Sequence, residues 1–447
     1  MLLQSKVKAT FYFRVGMLLL FIGLVGGMFI FPFNISGDAI ARYTFMDTLV
    51  HQHQITPMLT SMIGPLFSLP LWLISTFFKD PTIVIARYNF FLFAIFLLIL
   101  YHWLRNWFDQ KFLLTFILLL AFGSMFPGHL LNYYGEVFSA VCLALGSVGL
   151  ATNKSAIGWV LSVLAVLNTP ALFIPFILIV LYLSWESKHV RYLILLPATL
   201  ILLLLEGYIR MGSIYAEFQT YLANNHGFQT ILPYSGRAGY SYPFALGVLS
   251  ILLSFGKGLI FYCPGLLLIG WAWKHITHPI ERKMLILWFF IVLGLVLAYA
   301  SWWAWYGGWY WGPRFFLFAS VPASWILAKL ICASRKSLLL CVVLLCFMSF
   351  SLWVGVDGVV FQQKTLDACT ANNYALESLC WYVPEFSPLL RPFITHATLQ
   401  LNDRLILILF AVIWLYVMVP LGRDFFQQLR ITYLTHRPLV NFSSWKF

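Results

Sequence analysis

The sequence predicts an all-α protein that crosses a membrane many times. Three observations support this. Of 447 residues, 61% are hydrophobic and only 10% are charged. Several apolar runs reach or approach the roughly 20 residues that span a bilayer as a helix. The basic residues gather in short segments between those runs, which is the signature of cytosolic loops. A net charge of +13 could suggest nucleic acid, but basic residues dispersed over short loops do not form a nucleic-acid surface, and no such partner is expected. The first apolar run has no small-residue cleavage site and reads as a helix that stays in place.

Lys6, Lys8 and Arg14 put the N-terminus in the cytosol, so the first span, about Tyr12 to Phe33, delivers Asp38 to the other side. Ser36 can cap a short surface helix whose apolar stripe is Ala39, Tyr43, Met46 and Val50. The run Met58 to Phe78 contains Pro65 and Pro70. If it spanned, the basic pair Arg105 and Lys111 would lie outside, so it is read as re-entrant or interfacial. Thr82 to Leu104 then runs inward, Phe112 to Phe126 outward and Val137 to Ala151 inward. Ala156 to Leu167 and Ala171 to Trp185 form a pair broken at Asn168-Thr-Pro170.

Tyr192 to Tyr208 leads to a long outer loop; a glycine-interrupted run, Pro243 to Phe255, then precedes Gly258 to Trp273, which reaches the basic cytosolic loop Lys274 to Lys283. Met284 to Ala300, Phe315 to Ile331, Ser337 to Trp353 and Leu405 to Leu421 complete about twelve spans, with both termini in the cytosol. No repeat or separate soluble domain is evident. The chain reads as one transmembrane domain, with a core over 12–331, C-terminal helices, an outer loop at 355–404 and a cytosolic tail.

This threading puts Asp38, Glu136, Arg237, Lys257 and Arg314 on the outer side. Asp38, Glu136 and Lys257 played no part in assigning it, so their shared placement points to a site. Either carboxylate could simply be a helix-start acid, favoured by the backbone N–H groups there. Together they could also supply a base and an orienting group for a hydroxyl. Arg42 lies four residues after Asp38, and Tyr133, Tyr134 and Gly135 make a polar aromatic lip beside Glu136.

The segment Ser301-Trp-Trp-Ala-Trp-Tyr-Gly-Gly-Trp-Tyr-Trp-Gly-Pro-Arg314 concentrates Trp305, Tyr306 and Trp309 among glycines. That is more than an interfacial aromatic belt requires. Aromatic faces suit sugar rings, and Arg314 can fork onto a phosphate. Phe255-Gly-Lys-Gly-Leu259 presents Lys257 at a helix start, as an anion site or a flexible turn would. His51, His53 and His129 have no metal-ligand spacing, and neither a metal nor a cofactor is expected. Cys369 and Cys380 share one polar loop and can form a disulfide if it is extracytoplasmic; the other five cysteines lie in or beside apolar runs.

Taken together, Gly37-Asp38 with Arg42-Tyr43, Arg87 before a span, Tyr134-Gly-Glu136, Ser254-Phe-Gly-Lys-Gly258 and Trp305-Tyr-Gly-Gly-Trp-Tyr-Trp-Gly-Pro-Arg314 resemble the GT-C superfamily of integral-membrane glycosyltransferases. The likeness is to its protein O-mannosyltransferase and aminoarabinose transferase branch, in a bacterial subgroup. It covers most of residues 12–331. Ala39 stands where that family often has a second acid, and no basic residue adjoins Asn168-Thr-Pro170.

The resemblance implies a plasma-membrane enzyme with an extracytoplasmic site. It would perform inverting, metal-independent transfer from a polyprenyl-phosphate-linked sugar to a hydroxyl of a glycan, lipid or protein acceptor. Asp38 would be the base and Glu136 its support. Arg314, Lys257 and Arg237 would hold the donor phosphate, while Arg42, Tyr43, Tyr134, Trp305, Tyr306 and Trp309 would line the sugar and acceptor sites. Two other readings of the residues stay open: a transporter or flippase of a lipid-linked sugar, and a polymerase or ligase of the O-antigen type that uses diphosphate-linked glycans.

Overall fold

In hydrocarbon every backbone polar group must be paired within its own segment, and the helix does this without partners. The computed structural model describes residues 2–214, 239–308, 310–333, 336–362, 371, 375–395 and 397–435, with backbone alone at 2–10 and 433–435. Among the described residues all regular elements are helical, apart from one isolated parallel bridge between Asn34 and Asn132.

The α-helices in chain order are α1 (Leu2–Ile30), α2 (Asp38–Gln52), α3 (Ile63–Leu66), α4 (Leu69–Ser75), α5 (Thr82–Ile85), α6 (Tyr88–Leu104), α7 (Gln110–Phe122), α8 (Phe126–His129), α9 (Gly135–Ala151), α10 (Ser155–Asn168), α11 (Phe173–Ser187) and α12 (Leu195–Met211). They continue with α13 (Phe244–Leu253), α14 (Leu259–Tyr262), α15 (Ile269–Trp273), α16 (Pro279–Tyr299), α17 (Ser320–Ile331), α18 (Leu338–Val360), α19 (Glu377–Tyr382) and α20 (Leu401–Thr435).

Seven stretches among the described residues are long and apolar enough to cross a membrane: Phe11–Ile30, Thr82–Leu104, Pro170–Ser187, Val190–Met211, Arg314–Ile331, Leu338–Val360 and Leu401–Thr432. Shorter apolar helices include α7, α9, α10 and α13. The chain is therefore a multi-pass membrane protein of helical architecture. The proline-bearing run 58–78 forms only α3 and α4, and the seven residues of α4 extend about 10 Å, far short of a bilayer.

Helix α9 is buried almost throughout and forms the middle of the bundle. It packs on α10 at backbone distance, because a Cβ at Gly149 would lie 3.0 Å from Gly158 Cα and one at Gly158 would lie 2.7 Å from Leu150 N. Small residues permit such close approach in membrane helices. The break after α10 is held by the Asn168 amide. Its Oδ1 accepts from Gly64 N (3.0 Å), while its Nδ2 donates to Gly135 O (2.9 Å) and Ser139 Oγ (2.8 Å).

Helix α12 shows most of its length outward and is pinned at one end. There the Glu206 carboxylate accepts from Ser61 Oγ (3.1 Å), Met62 N (3.0 Å) and Arg210 Nε (3.0 Å). Helices α1 and α20 meet at stacked Tyr12 and Tyr416, whose hydroxyls each donate to the other's carbonyl.

Candidate functional site

The site begins with two stitched loops. Asn34 N donates to Leu131 O (2.9 Å), which sets residues 34–36 alongside 132–134. Asn132 Oδ1 accepts from Ser36 N (3.3 Å), and its Nδ2 donates to Ser36 Oγ and Tyr134 OH (both 2.8 Å). Asn89 Nδ2 bonds Asn132 O (2.6 Å) and Tyr134 O (2.8 Å) from beneath. Helices α2 and α9 therefore start side by side. Asp38 is the first residue of α2 and Glu136 the second of α9, so both acids sit where unpaired N–H groups favour negative charge.

Arg314 joins them. Its Nη1 lies 2.8 Å from Asp38 Oδ2 and 3.4 Å from Glu136 Oε1, so the two carboxylates face one another within about 6 Å. Side-chain exposure is 11% for Arg314, 17% for Glu136 and 43% for Asp38, which makes Asp38 the more exposed of the two acids. The guanidinium lies 4.2 Å from the centre of the Tyr310 ring, and its buried Nε has no hydrogen-bond partner among the described residues.

Arg42 joins the group beside Gly135, the residue before Glu136. It is buried, and a Cβ at Gly135 would fall 2.5–2.7 Å from its guanidinium atoms, so any larger residue there would push the guanidinium aside. Burial lowers the Arg42 pKa, and Glu136 opposes that more than any other charge. Two arginines and two acids thus gather at this point, with Arg314 bridging the two acids.

The aromatic segment covers this group through a loop with left-handed glycines at Gly307, Gly308 and Gly312 (φ 78°, 76° and 67°). Tyr310 is its tip. The Tyr310 hydroxyl accepts from Asp38 N (3.3 Å), and its ring packs edge-on against Tyr134 (5.0 Å). Burial raises the Tyr310 pKa, and the Asp38 charge adds to that. Trp311 is anchored below, where its Nε1 donates to Asp357 Oδ2 (2.6 Å) on α18.

No family model, curated protein or solved structure matches the chain.

The structure brings Asp38, Glu136, Arg314, Arg42 and Tyr134 into one group. Lys257 reaches the same region from 255–258 but has a different occupation from the phosphate role the sequence suggested. Its ammonium donates to the carbonyls of Gly308 (3.1 Å), Tyr310 and Gly312 (2.8 Å), which uses all three of its N–H groups. Trp305 and Tyr306 are buried behind the loop and away from the open side of Asp38. The Tyr306 hydroxyl donates to Glu377 Oε2 (3.2 Å) and its ring stacks on Trp381 (5.0 Å).

Tyr43 packs against Trp72 (5.0 Å) on the far side of α2. His51 pairs with Asp47 (3.2 Å), and among the described residues no three His, Cys, Asp or Glu side chains converge on a metal-sized site. Arg237, Trp309 and Cys369 lie outside the described residues; Cys380 is disulfide-bonded.

Sequence reasoning passed over Tyr310 and Asn132. Tyr310 lies in the aromatic segment, four residues before Arg314. Asn132 stands two residues before Tyr134, and only the stitching of two distant loops reveals its role.

Proposed function

We propose that the chain is a membrane-embedded glycosyltransferase. It would move a sugar from a polyprenyl-phosphate donor to an acceptor hydroxyl at the extracytoplasmic face, with inversion at the anomeric carbon. The observation that supports this is the single arginine bridging an open acid and a sheltered one at 2.8 and 3.4 Å. At rest Arg314 neutralises Asp38. A phosphate entering above Tyr310 competes for the guanidinium and releases the Asp38 carboxylate toward the acceptor.

The acceptor oxygen then bonds the anomeric carbon while its proton passes to Asp38. The bond from that carbon to the phosphate oxygen breaks, and the electron pair leaves with the phosphate. Arg314 stabilises the phosphate charge as it develops. Glu136, 3.4 Å from the guanidinium, holds Arg314 in position throughout. The polyprenyl tail would lie among the spans, which accounts for a sugar-handling site built at a membrane boundary.

The test is transfer of labelled sugar from a polyprenyl-phosphate donor by the purified protein. Asp38→Asn should lower turnover by about 10²–10⁴-fold with the fold intact. Full activity of that variant would end the assignment of Asp38 as base. Movement of labelled donor across vesicles without transfer would favour a transporter, and turnover only with diphosphate-linked donors would favour a polymerase or ligase.

A further inference from the structure

We propose that the carbonyls of Gly308, Tyr310 and Gly312, together with the face of Trp381, form a cage for one primary ammonium group. In this chain Lys257 fills the cage and thereby positions Tyr310 and Arg314 against Asp38.

The chemistry of the cage is specific. An alkylammonium has three N–H donors, and the three carbonyls supply one acceptor for each. The fourth side is the Trp381 ring, whose centroid lies 4.7 Å from Nζ, the geometry of a cation–π contact. A hydroxyl offers one donor and a quaternary ammonium none, so neither satisfies the cage.

The surroundings are shaped to admit this one side chain. The Lys257 backbone enters between Gly256 and Gly258. A Cβ at Gly256 would fall 1.9 Å from Cys380 O, and one at Gly258 would fall 2.4 Å from Ser254 O. Gly256 N also donates to Trp381 O (3.1 Å). The Gly-Lys-Gly triplet is thus a device for bringing a lysine against α19 and the aromatic loop at close range. Burial, with Arg314 nearby, depresses the Lys257 pKa well below that of an ordinary lysine, and Glu377 opposes the shift. The carbonyls and the ring face add to the Glu377 charge in favouring the cation in this interior position.

The consequence reaches the site through the loop. The three carbonyls belong to alternate residues around its tip, and the loop's left-handed glycines give it little intrinsic preference for one shape. With the ammonium in place, Tyr310 is held where its hydroxyl meets Asp38 N and its ring underlies Arg314. Lys257 is therefore a positioning residue, and its effect on transfer rests on the function proposed above. The cage itself does not depend on that function.

The experiment uses the full-length protein in detergent. Lys257→Ala removes three methylenes and the ammonium, a deletion that n-propylammonium matches. Hydrogen exchange of segment 307–314 is the first readout, and n-propanol and tetramethylammonium are the controls. The variant should exchange this segment at least tenfold faster than wild type. Millimolar n-propylammonium should restore most of the protection and the controls none, with wild type unaffected. Equal exchange in variant and wild type, or equal rescue by n-propanol, overturns the cage.

If Lys257→Ala does not survive purification, Lys257→Met preserves the buried volume. It should show the same loosening of 307–314 without rescue by the amine, and wild-type protection in it would equally overturn the cage. Sugar transfer is measured in parallel. Rescue of exchange without any transfer in wild type would refute the proposed enzyme and leave the cage standing.

Discussion

Gly37 offers a clean test of how the aromatic loop meets the first acid. Its backbone sits at φ 56°, ψ −131°, a region that side-chain-bearing residues avoid. A Cβ there would lie 2.1 Å from the Tyr310 hydroxyl oxygen. Gly37→Ala therefore has two costs. Backbone strain is about 1–3 kcal/mol. Displacing the hydroxyl also removes its bond from Asp38 N, worth about 1 kcal/mol.

Tyr310→Phe alone loses only that bond. In the double variant the hydroxyl no longer obstructs the new Cβ, so strain is the main cost left. The double variant should therefore be no less stable than Gly37→Ala, with a coupling of about 1 kcal/mol between the sites. The assay is reversible unfolding in mixed micelles by SDS titration for the four proteins of the cycle. Simple additivity would show that Tyr310 does not rest on Gly37 and would refute the loop placement described above.

Three further outcomes follow from the buried polar groups. His129 is held neutral, chiefly by burial and further by Lys257 and Arg314, which bring its pKa down to about 3. The unfolded chain takes up this proton below its ordinary value and the folded chain does not, so stability falls as pH drops from about 6.5. The loss at pH 5 is about 2 kcal/mol, and unfolding titrations at pH 7 and pH 5 should show a smaller difference in His129→Gln. Asn168→Leu strands Gly64 N and removes the amide's bonds to Gly135 O and to Ser139 Oγ, which keeps Thr169 Oγ1, and should cost about 2 kcal/mol in the same assay. Glu206→Gln leaves Arg210 buried beside a neutral partner and should lower the unfolding midpoint by an amount equivalent to about 3–5 kcal/mol, whereas an exposed pair would contribute little.

The helical, membrane-spanning class was legible because an apolar run of span length suits little besides a bilayer. The break at Asn168-Thr-Pro170 was legible too, since proline cannot continue the hydrogen-bond ladder. Charge in a nearly uncharged chain is conspicuous, and so Asp38, Glu136 and Arg314 could be picked out from positions far apart in sequence. Side-chain identity does not tell which backbone groups a residue will meet. Lys257 looked like a phosphate ligand because its partners are carbonyls, which every residue carries. Trp305 and Tyr306 looked like a sugar platform, yet the same apolar area that suits a sugar also suits Trp381. Tyr310 differs from its aromatic neighbours only in lying at the tip of a loop whose shape depends on glycine φ angles and on a lysine about fifty residues away.

The proposal that a phosphate competes with Asp38 for one guanidinium can be tested most directly by binding, separate from chemistry. Affinity for a polyprenyl monophosphate is measured by native mass spectrometry on wild type, Arg314→Gln and Asp38→Asn. Saturable binding should be lost in Arg314→Gln and equal or tighter in Asp38→Asn, since asparagine no longer competes for the cation. Wild-type affinity in Arg314→Gln would contradict the proposed role of the arginine and the transfer mechanism built on it.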